Sequence, residues 1–363
     1  MGIFVSHIKK LDWGMIISSI LLVFFGLGAI YSACTARGDY LNFTKQAVFF
    51  VCGFLLMLLI SFFDYRILRN NSYLILILYV LCLLLLAGLY FFAPMVRGTR
   101  GWYKFWILSL DPIEPTKIVM VILLAKYFSM RHVEMYKFRH IVFSGLYVFI
   151  PAILIFLKPD LGGTMVLLLI WLGILFISGI KVNHFLILLI CFIVVAAISW
   201  NFLLQDYQRQ RVVSFVFSND PLGESWSRDQ AKVAIGSGQF FGKGLAKGSQ
   251  VQYGFLPEPH TDFIFSVIAE EWGLLGVSVI FVAYGFLIWR VLRIAIESAS
   301  NFPRLFASGF AIILIAQFFI NIGMNLSMLP VVGIYLPLIS YGGSGMIFNF
   351  VGLGILQSIK TKG

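Results

Sequence analysis

The chain has 363 residues, of which 60% are hydrophobic and only 12% are charged, and its formal net charge is +11. A soluble domain is roughly half apolar and about a quarter charged, so this composition excludes a protein built from soluble domains. The apolar residues are gathered in runs of about 20, the length that a helix needs to cross a hydrocarbon core of ~30 Å. We therefore expect a single integral membrane domain, residues 1–363, of the all-α polytopic class.

Ten apolar runs are long enough to be membrane spans, and each is predicted to be a helix because backbone groups in lipid must be satisfied within the segment. With boundaries uncertain by a few residues, they lie at roughly 13–32, 44–63, 72–92, 113–130, 142–157, 162–179, 183–204, 263–292, 304–327 and 334–357. The tenth span includes the small residues of the run Ser340-Tyr341-Gly342-Gly343-Ser344, which suit a contact between helices. Residues 205–262 form a long polar stretch, predicted to be a large extracytoplasmic loop between spans seven and eight.

Motifs for metals, nucleotides and redox chemistry are missing from the sequence. The four cysteines, Cys34, Cys52, Cys82 and Cys191, have neither metal-ligand spacing nor a disulfide pattern, and we interpret them as buried spectator thiols. A glycine-rich run at 236–244 fails as a phosphate loop, because Ser237 and Gly244 stand where Gly and Ser or Thr are required. Its glycines are predicted to let the backbone pass close beside a ligand. No cofactor is expected, and the sequence leaves a divalent cation open.

Positive charge divides the chain into two sides. An even number of spans, ten, puts both termini on the same side of the membrane. The termini and short loops of that side hold roughly half of the 27 lysines and arginines. That side is therefore predicted to be cytoplasmic by the positive-inside rule. On the other side most of the charge is concentrated in Arg97, Arg100, Lys104, Lys117, Arg209, Arg211, Arg228, Lys232, Lys243 and Lys247. This is either an ordinary solvated face that attracts anionic lipid or an outer pocket for a phosphate-bearing substrate.

A group of ionisable residues surrounds the end of the long loop, which reads Leu256-Pro257-Glu258-Pro259-His260-Thr261-Asp262. A carboxylate at the start of a helix can simply cap it, which contributes ~1 kcal/mol. Asp262, however, follows Glu258 and His260 closely, and Glu270 and Glu271 come next inside the span. Ionisable groups within spans mark functional cavities, and a carboxylate at such a dry edge suits a general base. The residues alone leave the capping role and the catalytic role open.

Taken together, the motifs resemble those of the SEDS family (shape, elongation, division and sporulation), over nearly the whole chain and in the family's order. They are Lys158-Pro159-Asp160-Leu161-Gly162, Tyr207-Gln208-Arg209-Gln210-Arg211, Ile235-Gly236-Ser237-Gly238, Gly242-Lys243-Gly244, Leu256 through Phe265, Glu270-Glu271 and Leu336 through Gly343. Within the family the elongation branch, RodA, is favoured over the division branch, FtsW, by Gly242-Lys243-Gly244 and Leu329-Pro330-Val331-Val332-Gly333.

The resemblance implies a peptidoglycan glycosyltransferase that polymerises lipid II during cell-wall elongation and releases undecaprenyl pyrophosphate. It also implies a place in the bacterial inner membrane, an active site on the outer face, and partners that include a class B penicillin-binding protein and elongation-complex membrane proteins, but no nucleic acid. The family's essential aspartate falls on Asp262, its tryptophan on Trp102 and its motif lysine on Lys117. The family usually has Arg directly before that tryptophan, whereas this chain has Gly101, with Arg97 and Arg100 nearby.

Asp262 is thus the predicted catalytic residue. The predicted substrate-binding residues are Arg97, Arg100, Trp102, Lys117, Asp160, Arg209, Arg211, Lys243, Glu258 and His260. The rival interpretations are a transporter that moves the lipid-linked precursor, a division-type polymerase, and a scaffold that only positions the transpeptidase. Transporters place polar sites at the membrane midplane, often within repeated halves, whereas here we find no convincing repeat and the charge gathers at one face.

Overall fold

The structure, a computed structural model, describes residues 2–94, 101–105, 108–131, 138–202, 209, 213, 215 and 224–363. This part of the chain is almost entirely helical. The helices are α1 (Gly2–Lys10), α2 (Trp13–Arg37), α3 (Leu41–Phe62), α4 (Arg66–Asn70), α5 (Ser72–Phe92), α6 (Ile113–Ser129), α7 (Phe138–Leu157), α8 (Leu161–Ile177), α9 (Val182–Phe202), α10 (Glu224–Ser237), α11 (Ser249–Gln252), α12 (Ile264–Glu297), α13 (Asn301–Asn325) and α14 (Gly343–Lys362). The strands are β1 (Tyr103–Phe105) and β2 (Leu108–Leu110), which form an antiparallel pair that we did not predict.

Each of the ten predicted spans corresponds to one helix: α2, α3, α5 to α9, and α12 to α14. Within the described ranges, seven of these, α2, α3, α5, α7, α9, α12 and α13, are long and apolar enough to cross a membrane, and α8 is a shorter apolar helix of 17 residues. The all-α polytopic membrane class is therefore confirmed. The tenth span is wrong at its start, because residues 334–342 are not helical and α14 begins only at Gly343. Pro337 and the positive φ of 64° at Leu338 prevent a helix there.

Helix α13 lies at the centre of the bundle. In the most apolar stretch of this helix, 78% of the residues are buried, whereas in that of α9 none is buried, so α9 faces outward. Gly309 lets α6 and α8 approach closely, since a Cβ there would lie 2.7 Å from Val121 Cγ1 and 2.8 Å from Ile174 Cδ1. The C-terminal end of this well-fixed helix supports the candidate site.

A buried ion pair joins α2, α12 and α14. The Asp12 carboxylate accepts the Met15 N–H at 3.0 Å, which caps α2, and also accepts Arg290 Nε at 2.9 Å. The Asp12 N–H donates to Gln357 Oε1 of α14 at 2.8 Å. Because Arg290 lies near the C-terminal end of α12, this network fixes the end of the bundle opposite to the start of that helix.

Helix α12 is broken at Gly273, where φ is 63° and ψ is −162°. The loop at 238–244 supplies the missing hydrogen bonds: Lys243 N–H donates to Glu270 O at 3.0 Å and Gly244 N–H to Glu271 O at 2.9 Å. On the other side of the break, the N–H groups of Leu274 and Leu275 donate to loop carbonyls at 2.9 and 3.1 Å. The break therefore leaves these four backbone groups satisfied, and it sets the direction of the short segment that begins at Ile264.

Candidate active site

Asp262 stands two residues before the first residue of α12. The N-cap position is occupied by Phe263 and carries no side-chain hydrogen bond, so Asp262 is not the capping residue. The side chain is partly exposed, beside Gly333, whose φ is 71° and whose added Cβ would lie 3.9 Å from Asp262 Oδ2. A carboxylate that does not cap the helix and is partly open to solvent is placed to take part in chemistry.

Two buried asparagines of α13 hold the backbone at Asp262. Its carbonyl accepts Asn325 Nδ2 at 2.9 Å and Asn321 Nδ2 at 3.1 Å. Asn321 also donates to Ile334 O at 2.8 Å, and Asn325 Oδ1 accepts the Ser266 hydroxyl at 2.6 Å. Both asparagines are fully buried, where a satisfied hydrogen-bond network is rigid. They therefore fix the position from which the Asp262 side chain projects.

The segment between α13 and α14 holds the two preceding residues. Ser340 Oγ donates to Thr261 O at 2.7 Å and itself accepts Leu336 N–H at 2.9 Å. The Tyr341 N–H donates to His260 O at 2.8 Å. We call residues 332–341 the bridging segment, because it also contacts two further groups of predicted site residues. Residues 334–341 of this segment were predicted to be part of the tenth span, and that prediction hid this role.

His260 is only 4% exposed, and neither ring nitrogen has a hydrogen-bond partner among the residues that the structure describes. Burial, reinforced by the positive charge of Arg37 and opposed by Glu258, lowers the pKa of His260 to about 4. The imidazole is therefore neutral at pH 7 and provides no positive charge for a phosphate. Glu258 has a positive φ of 42°, and its carbonyl accepts the Thr261 N–H at 3.2 Å.

Lys117 is buried in the first turns of α6, and the carboxylate of Glu114 balances its positive charge. Its Nζ lies 2.8 Å from Glu114 Oε1 and 5.1 Å from the centre of the Tyr335 ring. The Tyr335 hydroxyl donates to Glu114 Oε2 at 2.5 Å and accepts Asn349 Nδ2 at 3.3 Å. Tyr335 belongs to the bridging segment, so the segment links Lys117 to Asp262. Trp102, the other residue predicted on this side, is 41% exposed just before β1.

Asp160 caps α8: its Oδ1 accepts the Gly163 N–H at 2.7 Å. Next to it, Lys158 is 4% exposed, and its Nζ lies 4.0 Å from Asp111 Oδ1. Burial raises the pKa of Asp111 to about 6, against the opposing effect of Lys158. Asp111 and Lys158 were not among the predicted site residues, although a carboxylate just before Pro112 at the start of a predicted span was a usable signal.

The bridging segment also contacts the start of α8. A Cβ added to Gly162 would lie 2.8 Å from Val332 O and 2.7 Å from Ile334 Cγ1. Asp262, Lys117 and Asp160 come from three different helix starts, and the same short segment contacts each of these starts. The three positions therefore share one end of the bundle, as expected for residues of one site.

Lys243 is engaged within the protein. Its Nζ lies 2.8 Å from Glu270 Oε1 and 2.8 Å from Ser249 Oγ, and Glu270 is fully buried. This ion pair holds the glycine-rich loop against α12, so the close approach predicted from the glycines is to a helix of the same chain. Whether Lys243 also binds substrate stays a prediction.

The remaining predicted binding residues are four arginines. Arg97, Arg100 and Arg211 lie outside the described residues, and Arg209 is partly buried. In the described ranges no group of three or more His, Cys, Asp or Glu side chains is arranged to hold a metal ion. The four cysteines are free thiols; Cys34 and Cys82 are buried as predicted, but the prediction of burial is wrong for Cys52 and Cys191, which are exposed on the outward faces of their helices.

Comparison with known proteins gives a consistent set of relatives. The family model described as cell cycle protein, for FtsW, RodA and SpoVE, matches residues 12–363. Peptidoglycan glycosyltransferase MrdB of Escherichia coli (strain K12) is 39% identical over 285 residues, 78% of this chain and 77% of that protein. Stage V sporulation protein E of Bacillus subtilis (strain 168) is 32% identical over 360 residues, 96% of each protein.

Solved structures agree with these relatives. A chain from a peptidoglycan synthase complex, solved to explain the coordination of polymerisation and crosslinking, has a TM-score of 0.81 and 31% identity, covering 96% of this chain and 97% of that one. The rod shape determining protein RodA of Thermus thermophilus has a TM-score of 0.70 and 30% identity, covering 96% of each chain.

Proposed function

This chain belongs to the FtsW, RodA and SpoVE family, and on that basis we propose that it is a peptidoglycan glycosyltransferase that polymerises lipid II during cell-wall elongation. Relatives named peptidoglycan glycosyltransferase MrdB support the activity, and the likeness to RodA supports the elongation role. The observation that carries the proposal for the site is Asp262, whose backbone is fixed by Asn321 and Asn325 while its side chain does not cap α12.

In the proposed reaction, Asp262 removes the proton from the 4-hydroxyl of the acceptor sugar. The freed oxygen attacks the anomeric carbon of the growing glycan, and the bond from that carbon to the lipid pyrophosphate breaks. The proton passes to the carboxylate and the electron pair leaves with the pyrophosphate. A base held within hydrogen-bond reach of the hydroxyl typically contributes ~10²–10⁴ in rate, which is why the fixed backbone at Asp262 matters.

The basic residues that the sequence predicts on the outer side are proposed to bind the pyrophosphate. Arg97, Arg100, Arg209 and Arg211 provide guanidinium groups, which suit phosphate oxygens because they donate in pairs. Lys117, which pairs with Glu114, and Lys158, beside Asp111, add buried N–H donors at the helix starts rather than net positive charge. Positive charge aimed at the leaving group stabilises the charge that develops as the bond breaks.

The chain is a multi-pass membrane protein. We place it in the bacterial inner membrane with both termini cytoplasmic and Asp262 on the outer face, because the short loops on the terminal side are basic. A class B penicillin-binding protein is the proposed partner, supported by the likeness to a chain of a synthase complex that polymerises and crosslinks. The glycan made by this chain would be the substrate of that crosslinking step.

A single assay separates this function from transport. The purified chain, reconstituted in vesicles with lipid II on both leaflets, should convert it to glycan strands visible on a gel. A transporter would instead change the distribution of lipid II between leaflets without making polymer. Movement of lipid II with no polymer, even when the penicillin-binding partner is present, would refute the proposed function.

A further inference from the structure

A cavity of about 540 Å³ lies at the end of the bundle opposite to Asp262. Its polar lining comes from Arg69, Asn70, Lys126, Ser129, Ser300 and Asn301. Ser300 and Asn301 stand at the start of α13, whose other end holds Asp262 through Asn325. At 1.5 Å per residue, α13 separates the two places by about 36 Å, roughly the thickness of a hydrocarbon core. The cavity is therefore a separate site, at the other face of the membrane.

Two positive side chains share this cavity, and no carboxylate of the described residues pairs with either. Lys126 Nζ donates to the Arg69 carbonyl, and Arg69 Nε donates to Asn70 Oδ1 at 3.3 Å. Across the described ranges, neither side chain forms an ion pair with Asp or Glu. By contrast, Arg293 and Lys360 at the same face both pair with Glu297, at 2.6 and 2.7 Å. Among the described residues the cavity thus gathers positive charge without a carboxylate partner, and a bound anion would be stabilised there.

The other lining groups add hydrogen-bond donors. The amide groups of Asn70 and Asn301 and the hydroxyls of Ser129 and Ser300 can each donate to an oxygen. Ser300, the N-cap of α13, makes no side-chain capping hydrogen bond, so it leaves the N–H groups of Asn301 and Phe302 uncapped at the start of this 25-residue helix. Lys126 alone could be explained by the dipole at the C-terminal end of α6, but that leaves Arg69 and the amides unexplained.

We propose that this cavity binds a phosphate group. An arginine, a lysine and amide donors around a partly open space are the chemistry that recognises phosphate oxygens. The phosphate could be presented by an anionic phospholipid headgroup of the adjacent leaflet or by a soluble phosphate compound. The site is independent of the proposed glycosyltransferase reaction, and nothing in that reaction uses it.

Native mass spectrometry of the full chain in detergent tests the site, with phosphatidylglycerol and inorganic phosphate as separate probes. Arg69→Gln removes one charge, and Asn301→Asp adds a carboxylate to the cavity at a helix start, where Asp is favourable and folding is preserved. Arg293→Gln is the matched control, a cation of the same face that lies outside the cavity and is paired. We expect each cavity variant to bind the relevant probe about tenfold more weakly or worse, and the control to bind as the wild type does.

The two probes distinguish the sources. A lipid headgroup is supported if the wild type retains phosphatidylglycerol, if both cavity variants retain less of it, and if inorganic phosphate does not displace it. Binding of inorganic phosphate with the same dependence on the variants supports a soluble ligand. Equal binding of both probes by the wild type, Arg69→Gln and Asn301→Asp, with equal melting temperatures, would overturn the proposal.

Discussion

Asp262 owes its position to side chains that are distant in sequence. Asn325 donates to its carbonyl at 2.9 Å and accepts from Ser266 at 2.6 Å, so one amide joins Asp262, two residues before α12, to the first turn of that helix. Leaving such buried groups without partners costs about 1–3 kcal/mol. The position of the carboxylate is therefore sensitive to a residue that does not touch substrate.

We predict that Asn325→Leu lowers the stability of the protein by about 1–3 kcal/mol and also lowers the rate of polymerisation, because Asp262 is then less well held. Asn325→Asp keeps an acceptor for Ser266 but loses the donor to the Asp262 carbonyl. If Asp262 must be held from this side, Asn325→Asp should lose polymerisation too, in assays compared at matched folded fractions. Wild-type rates in both variants would show that this hydrogen bond has no part in positioning.

His260 should make the stability of the protein depend on pH. Its pKa is about 4 in the folded chain against an ordinary value of 6.5, with Arg37 and Glu258 as the charged neighbours. Between these values the unfolded chain binds a proton that the folded chain does not. The contribution of His260 to stability is therefore constant above pH 6.5 and falls as the pH decreases through the window, by up to about 2 kcal/mol at pH 5.

His260→Phe, which keeps an aromatic ring without a titrating group, should remove this contribution, whereas Asp111, whose raised pKa acts in the opposite direction below pH 6, titrates in both proteins. Melting temperatures of the variant and the wild type, measured from pH 8 to pH 5, should converge or cross as the pH falls, because only the wild type loses the contribution. Parallel melting curves over the whole range would contradict the assigned environment of His260.

Residue types were predictable from the sequence, but their partners were not. Asp262 and Lys117 stand out as ionisable groups at helix starts, and this is visible from hydropathy alone. The contact between Tyr335 and Glu114 joins residues 221 positions apart, and no local pattern indicates it. The same holds for Asn321 and Asn325, which read as ordinary polar residues in an apolar helix.

At the scale of elements, the break in α12 controls the site. The segment from Ile264 to Trp272 is oriented by the glycine-rich loop, which passes so close that a Cβ on Gly238 would lie 1.8 Å from Ala269 O. Helix breaks in membrane proteins are tolerated where neighbouring groups satisfy the backbone, as the loop does here. The direction of the segment that follows Asp262 is therefore set by residues 238–244.

One glycine substitution tests this loop, and a second, at a glycine with free space around it, is the matched control. Gly242 has a φ of 79°, and its added Cβ would lie 2.2 Å from Glu271 O, so Gly242→Ala should lower stability by about 2–4 kcal/mol and reduce polymerisation. Gly236 lies in α10 with nothing within 4 Å of an added Cβ, so Gly236→Ala should leave stability unchanged or raise it by up to about 1 kcal/mol. Equal melting temperatures for the two variants would show that the loop does not hold α12.

Helices were the best-predicted elements because a long apolar run in lipid permits little else. The non-helical residues 334–342 were not distinguished from the span that follows, because Ile334, Leu336, Leu338 and Ile339 are as apolar as a helix in lipid. The strand pair at 103–110 was missed because two strands of three residues carry too little periodicity to detect. The most important feature that the sequence did not predict is the bridging segment, because it connects the three groups of site residues.

For the whole molecule, the arrangement across the membrane is a prediction that labelling can test. In a background without the native cysteines, Lys232→Cys should react with a membrane-impermeant maleimide added to intact cells, since Lys232 is exposed in α10. Arg293→Cys, exposed near the end of α12, should react only after the membrane is permeabilised. The reverse labelling pattern would place Asp262 on the cytoplasmic side, where it could not act on lipid-linked glycan at the outer face.

The most direct test of the account is polymerisation of lipid II by the purified Asp262→Asn variant, measured beside the wild type. Asn keeps the size of the side chain but cannot take up the proton of the acceptor hydroxyl. Because Asp262 does not cap α12, the substitution should leave the melting temperature unchanged while the rate of strand formation falls by ~10²–10⁴. A variant that folds normally and polymerises at the wild-type rate would show that the base is elsewhere.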